Sequence, residues 1–129
     1  MQTNRCDLCG TMTSADEYFV IDLETNGCPG SSSCDRKHHR IVQIAVLFVK
    51  TGSLFSSLVK PGAWIPSSST AIHRISNEDV RDASELGEVM QEFRSWVEGQ
   101  GICYDDPLRF VAHNAYGFDL PLLRERCIA

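Results

Sequence analysis

Two carboxylates separated by one residue, Asp22 and Glu24, close a short apolar run, Tyr18 to Leu23. In an extended strand residues i and i+2 point to the same face, so both carboxylates converge at one strand end. Like charges there repel and are costly to bury. A divalent cation relieves both penalties, and hard oxygen donors suit Mg²⁺ or Mn²⁺. A third carboxylate, Asp119, ends the segment Val111 to Asp119, where a strand runs through a loop into a helix. If that strand neighbours the first, Asp119 joins Asp22 and Glu24. Three carboxylates on neighbouring strand ends can hold two metal ions about 3.5–4 Å apart, which activate water and steady the leaving oxygen of a phosphodiester. Taken singly, the D-x-E pair also closes many strands in solvent, and Asp119 also suits a helix N-terminus.

The elements that must position these groups follow from patterning. Tyr18–Leu23 is predicted as a buried strand of a sheet covered on both faces. Residues 25–40, with Gly27, Pro29, Gly30 and three serines, form a long loop. Ile41–Lys50 and Ser53–Val59 continue as an antiparallel meander joined at Thr51-Gly52, and Lys60–Ser69 reads as irregular. Ser76 caps a short helix with Asp79 at its third position. Ser84–Glu98 is the strongest helix, with Leu86, Val89, Met90, Phe93 and Val97 in one stripe; Trp96 packs near it. Leu108–Ala112 makes a fourth strand and 119–126 a last helix, Pro121 falling in its first turn.

Read together, these segments resemble the DEDD family of 3′→5′ exonucleases. FVIDLETNG resembles the first motif, RIVQIAVLFV the strand that follows, and VAHNAYGFDLPLL the second motif. The pattern of the last is most similar to three-prime repair exonucleases of the DEDDh branch. The resemblance covers about residues 18–127 and implies an α/β, RNase H-like fold: a mixed sheet with strands one to three antiparallel and strand four parallel to strand one. It implies metal and catalytic roles for Asp22, Glu24 and Asp119, and two Mg²⁺ or Mn²⁺ ions. Thr25, His73, Asn114 and Phe118 would meet the substrate, a DNA or RNA strand with a free 3′ end. His73 stands in STAIHRIS, where relatives have H-G-I-T; Arg74 replaces the glycine, which puts the local backbone in question. Relatives of the three-prime repair type suggest a homodimer.

The family's later motif, with its fourth carboxylate and general base, has no counterpart in the residues after Asp119. The chain is therefore expected to be an incomplete exonuclease domain (18–129) behind a flexible arm (1–17), weakly active or inactive alone. It should also expose one side of strand four and the apolar face of the last helix (Leu120, Leu122, Leu123). A non-catalytic nucleic-acid-binding or interaction relative is the alternative.

The net charge of −5 argues against holding nucleic acid by bulk charge. Neither a secretory signal nor a membrane-length apolar run is read in the sequence, so an intracellular location and free thiols are expected for Cys6, Cys9, Cys28, Cys34, Cys103 and Cys127. A zinc-stapled adaptor, built from Cys6, Cys9, Cys28, Cys34, His38 and His39, is a distant alternative. The basic run Arg36–Arg40 reads as a solvated loop before a phosphate contact. Trp64 either packs or stacks on a base.

Overall fold

The computed structural model describes residues 17–27, 39–105, 107–113 and 119–128, with side chains as far as Arg124. The expected arm, the zinc cysteines of the N-terminal half, Arg36–His38, Asn114 and Phe118 lie outside these residues or, for Glu17, at their margin. The elements run β1 (Tyr18–Thr25), β2 (Ile41–Phe48), β3 (Ser53–Leu58), α1 (Ser67–His73), α2 (Asn77–Val80), α3 (Leu86–Gly99), β4 (Arg109–Val111) and α4 (Leu120–Ile128).

The four strands lie in the order β3-β2-β1-β4. β1 pairs antiparallel with β2, β2 antiparallel with β3, and β1 parallel with β4. This is the mixed sheet expected. Its register pins alternation. Phe19, Ile21 and Leu23 of β1 face the core with Ile44, Val46 and Phe48 of β2. Val20, Asp22 and Glu24 point the other way, opposite Leu47, Ala45 and Gln43.

The core face is closed by α3. Val89, Phe93 and Val97 are buried on its stripe, with Leu86, Met90 and Trp96 at the margins. Aromatic rings interlock there: Phe19 stacks on Phe48 at 4.8 Å, and Phe93 lies 5.5 Å from Phe55. Trp96 donates its indole N–H to Ser53 Oγ at 3.0 Å, which satisfies the one polar atom that burial would strand. α3 starts at Leu86 rather than Ser84. The backbone N–H of Lys60 bonds the Ser84 carbonyl at 2.9 Å, and Lys60 forms a parallel bridge with Glu85, so this stretch stays extended.

Three expectations need correction. The sheet is covered on one face only among the described residues: Leu54 is 63% exposed and Val111 48%, and Val20 and Leu47 share that open face. The apolar face of α4 is not exposed. Leu122 is fully buried in the core cluster and Leu123 packs against it, because α4 lies alongside α3. The thiols are not all free, since Cys103 is disulfide-bonded.

Ser67–His73, inside and beyond a segment read as irregular, is helical, although none of its residues is buried. Its serines are mediocre helix formers and no side chain caps it. Tertiary bonds hold it instead: Ser69 Oγ donates to the Asn26 carbonyl at 2.9 Å, and His73 Nε2 meets the Thr25 carbonyl at 2.9 Å. The cap of α2 is as expected. Ser76 and Asp79 bond each other's backbone reciprocally, and these bonds hold the Asp79 carboxyl below its ordinary value.

Candidate active site

Asp22 and Glu24 stand at the C-terminal end of β1. The β1–β2 register shifts between Glu24 and Thr25: Glu24 stands opposite Gln43 and Thr25 opposite Ile41, which leaves Val42 as the extra residue on β2. Asp22 is exposed on the open face and Glu24 half-buried beside it.

Asp119 reaches the same place from the other side. β4 pairs with β1 only over Tyr18–Val20, so beyond Val20 the β1 edge needs other acceptors. The Asp119 carboxylate takes the Leu23 N–H, in the gap between Asp22 and Glu24 in sequence. Asp119 is only 6% exposed. Burial raises its pKa, as does the Asp22 charge; backbone N–H donors and His113 pull the other way. Glu24 is also raised, by burial first and then by Asp22, with Asp119 adding and His73 opposing. The Asp22 charge therefore hinders ionisation of both Glu24 and Asp119, and Asp119 hinders that of Glu24.

Among the described residues no group of three or more His, Cys, Asp or Glu side chains is drawn together closely enough to hold a metal ion by itself. The donor chemistry nonetheless fits a hard divalent cation: oxygen ligands, mutual repulsion and partial burial are what such an ion would relieve.

The flanking residues form a second tier. Thr25 Oγ1 accepts from the Gly27 N–H at 3.1 Å and contacts His39 Nδ1 at 3.0 Å. His39, one of the residues considered for zinc, is thus a neighbour of the site. His73 Nδ1 accepts from the Ile75 N–H at 3.1 Å, so Nε2 carries the proton donated to Thr25. Both ring nitrogens are committed to the fold, which leaves the ring carbons to face a ligand. Arg74 adopts φ 65° and ψ 16°. The backbone keeps the left-handed turn that a glycine would take at lower cost.

A groove of about 220 Å³ lies here, lined by Leu23, Glu24, Thr25, Gly27, Ser69, Ile72 and His73. Sequence reasoning placed Glu24, Thr25 and His73 but missed Ser69, Ile72 and Asn26. Asn26 is buried; its Oδ1 accepts from the Arg40 N–H at 2.7 Å and its Nδ2 donates to the Trp64 carbonyl at 3.3 Å. The Asn-Gly pair with φ 69° at Gly27 is a turn signal that could have drawn attention to it.

Sheet order, the helix across one face and acidic groups at the end of β1 define an RNase H-like nuclease scaffold. A family model described as Exonuclease (RNase_T) matches residues 19–127, and the chain belongs to that family, within the DEDD exonucleases. It is 35% identical over 114 residues to a DNA polymerase III subunit epsilon-like protein of Rhodobacter capsulatus, covering 84% of this chain and 14% of the relative. The fold is similar to the nuclease domain of 3′hExo, a DEDDh family member bound to rAMP, with TM-score 0.67, 15% identity, and coverage of 88% of this chain and 60% of that one. It is also similar to exonuclease X in complex with 5′ overhanging duplex DNA, with TM-score 0.50, 22% identity, and coverage of 85% and 73%. The chain thus spans a small part of its first curated relative and about three fifths of the 3′hExo domain.

Proposed function

We propose that this chain carries the metal-binding half of a 3′→5′ exonuclease site that hydrolyses the terminal phosphodiester of DNA or RNA and releases nucleoside monophosphates. The raised pKa values of Glu24 and Asp119, each lifted by burial and by the Asp22 charge, support this reading best. Asp22, Glu24 and Asp119 would hold divalent Mg²⁺ or Mn²⁺, which supply Lewis acidity and a lowered water pKa when bound.

The chain's own residues do the rest. The Leu23 N–H fixes the Asp119 carboxylate against β1. Glu24 itself lines the groove. Ile72, 83% exposed at the groove, offers an apolar surface to the terminal base, and the His73 ring stands beside it. Asn114 and Phe118 are assigned to substrate binding in this proposal. His73, with both nitrogens bonded, positions the Thr25 backbone and is not assigned as the general base. A base near neutral pKa is needed for efficient water activation, so the chain alone is expected to turn over weakly.

The test is release of nucleoside monophosphate from a 3′-labelled single strand in Mg²⁺ or Mn²⁺. It should be run on this chain and on the natural full-length protein, each beside Asp22→Ala. Metal-dependent turnover that Asp22→Ala abolishes is expected in the natural protein. Metal-dependent binding without turnover in either form would instead mark a non-catalytic relative.

A further inference from the structure

A second cleft lies apart from the groove beside Glu24. It measures about 700 Å³ and lies between the β3–α1 connection and α2, where Lys60, Trp64, Asn77, Glu78, Val80 and Arg81 line it. Its floor is fixed. Asn77 accepts from the Ile65 N–H at 2.8 Å and donates to the Ile65 carbonyl at 2.9 Å. Val80 and Ile65 are buried in one apolar cluster with Val42 and Ile75. The Trp64 backbone is held by Asn26, yet its side chain belongs to a residue 74% exposed. An indole held at its base and left open to water has no packing role to explain it.

Lys60 and Arg81 both line the cleft, beside Glu78. Arg81 lies 3.9 Å from Asp82, and both side chains are largely in solvent, so that pair ties Arg81 weakly. An open aromatic face beside cations is the arrangement that binds single-stranded nucleic acid, by base stacking and phosphate contact.

One hydrogen bond ties the cleft's rim to the segment that follows β1. Asn26 follows Glu24 by two residues, about 7 Å of strand, and its amide reaches Trp64 directly.

We infer that this cleft is a second nucleotide-binding subsite, taking the single strand 5′ of the scissile end with a base on Trp64 and a phosphate between Lys60 and Arg81. The inference rests on the exonuclease reading and adds a subsite to it.

The experiment measures binding of labelled thymidylate strands in EDTA, where turnover is off, and turnover of the same strands in Mg²⁺ by the natural full-length protein. Trp64→Ala should weaken binding of a strand of about 12 nucleotides by roughly 5–20-fold, leave a dinucleotide unaffected and keep the wild-type melting temperature. Trp64→Phe should retain most of the affinity. Arg81→Ala should lower the slope of log affinity against log salt by about one. Wild-type binding by Trp64→Ala and Arg81→Ala, with turnover still abolished by Asp22→Ala, overturns the subsite and leaves the exonuclease reading intact. Absence of both oligonucleotide binding and turnover in the wild type overturns both. Quenching of Trp64 by a proline-rich peptide but not by the oligonucleotide also overturns the subsite.

Discussion

On one side of β1, Phe19, Ile21 and Leu23 sink into an aromatic and aliphatic core closed by α3. On the other, Val20, Asp22 and Glu24 stand on a sheet face that the described residues leave open. The same strand thus serves two purposes by alternation alone. The core face is locally consistent: every residue favours burial, and the ring contacts add to it. The open face is locally inconsistent, since carboxylates crowd at a bulge and raise the pKa of Glu24 and Asp119. Such inconsistency concentrates at sites that gain from a ligand.

Two substitutions on this strand should separate stability from activity most widely. Asp22→Ala should reduce turnover of the natural protein by about 10³-fold or more, while the melting temperature holds or rises, because a repelling charge is gone. Phe19→Ala should do the reverse. Removing a ring that stacks on Phe48 and meets Trp96 should cost about 3–5 kcal/mol in denaturant unfolding. Any turnover loss should then track the unfolded fraction. Equal destabilisation by the two variants would break the contrast between the faces.

The core face was readable because its signals are short-range and periodic. The Leu86–Val97 stripe, the Ser76–Asp79 box, the β-meander and the parallel β4 all followed from spacing or family pattern, and the family itself from the D-x-E and HN…D segments. The site was half-readable. Period two placed Asp22 and Glu24 on one face, but nothing local told that Asp119 takes the Leu23 N–H. α1 escaped notice because its residues bury nothing. It is held by Ser69 and His73 bonding to the backbone of Asn26 and Thr25, more than forty positions away, beyond the reach of any window. Burial of Leu122 depends in the same way on how α4 meets α3.

Smaller effects should sharpen the contrast at the turn after β1. Gly27 has φ 69°, and a Cβ there would lie 2.5 Å from Ser69 Oγ. Gly27→Ala should therefore cost about 1–2 kcal/mol or more and loosen the Ser69 bond that seats α1. Thermal denaturation measures the first effect, and amide exchange across α1 the second. An unchanged melting temperature would mean the turn tolerates a side chain. Arg74 is the reverse case, a side chain in a backbone that suits glycine. Arg74→Gly relieves about 1–2 kcal/mol of strain but adds about 0.4–1 kcal/mol of unfolded-state entropy. A net gain of about 0.5–1 kcal/mol is expected, and a loss would show that the arginine side chain contributes a contact of its own.

The smallest effect is a pH slope, and its sign is diagnostic. Folded-state values for Glu24 and Asp119 lie above their ordinary ones, so the native state binds protons more tightly than the unfolded chain. Their contribution destabilises fully above the raised values and fades as pH falls toward the ordinary carboxylate range. Asp79 acts oppositely. Its lowered value stabilises above the unfolded value and is lost only in stronger acid. In EDTA, melting temperature should therefore rise modestly on moving from neutral pH into mild acid, then fall at lower pH. Glu24→Gln should flatten the first limb and leave the second. Saturating Mg²⁺ should invert the first limb, because the cation binds the ionised carboxylates and so makes their ionisation favourable to the fold. A first limb that persists unchanged in both Glu24→Gln and Mg²⁺ would mean that the crowding at the end of β1 is not what sets it.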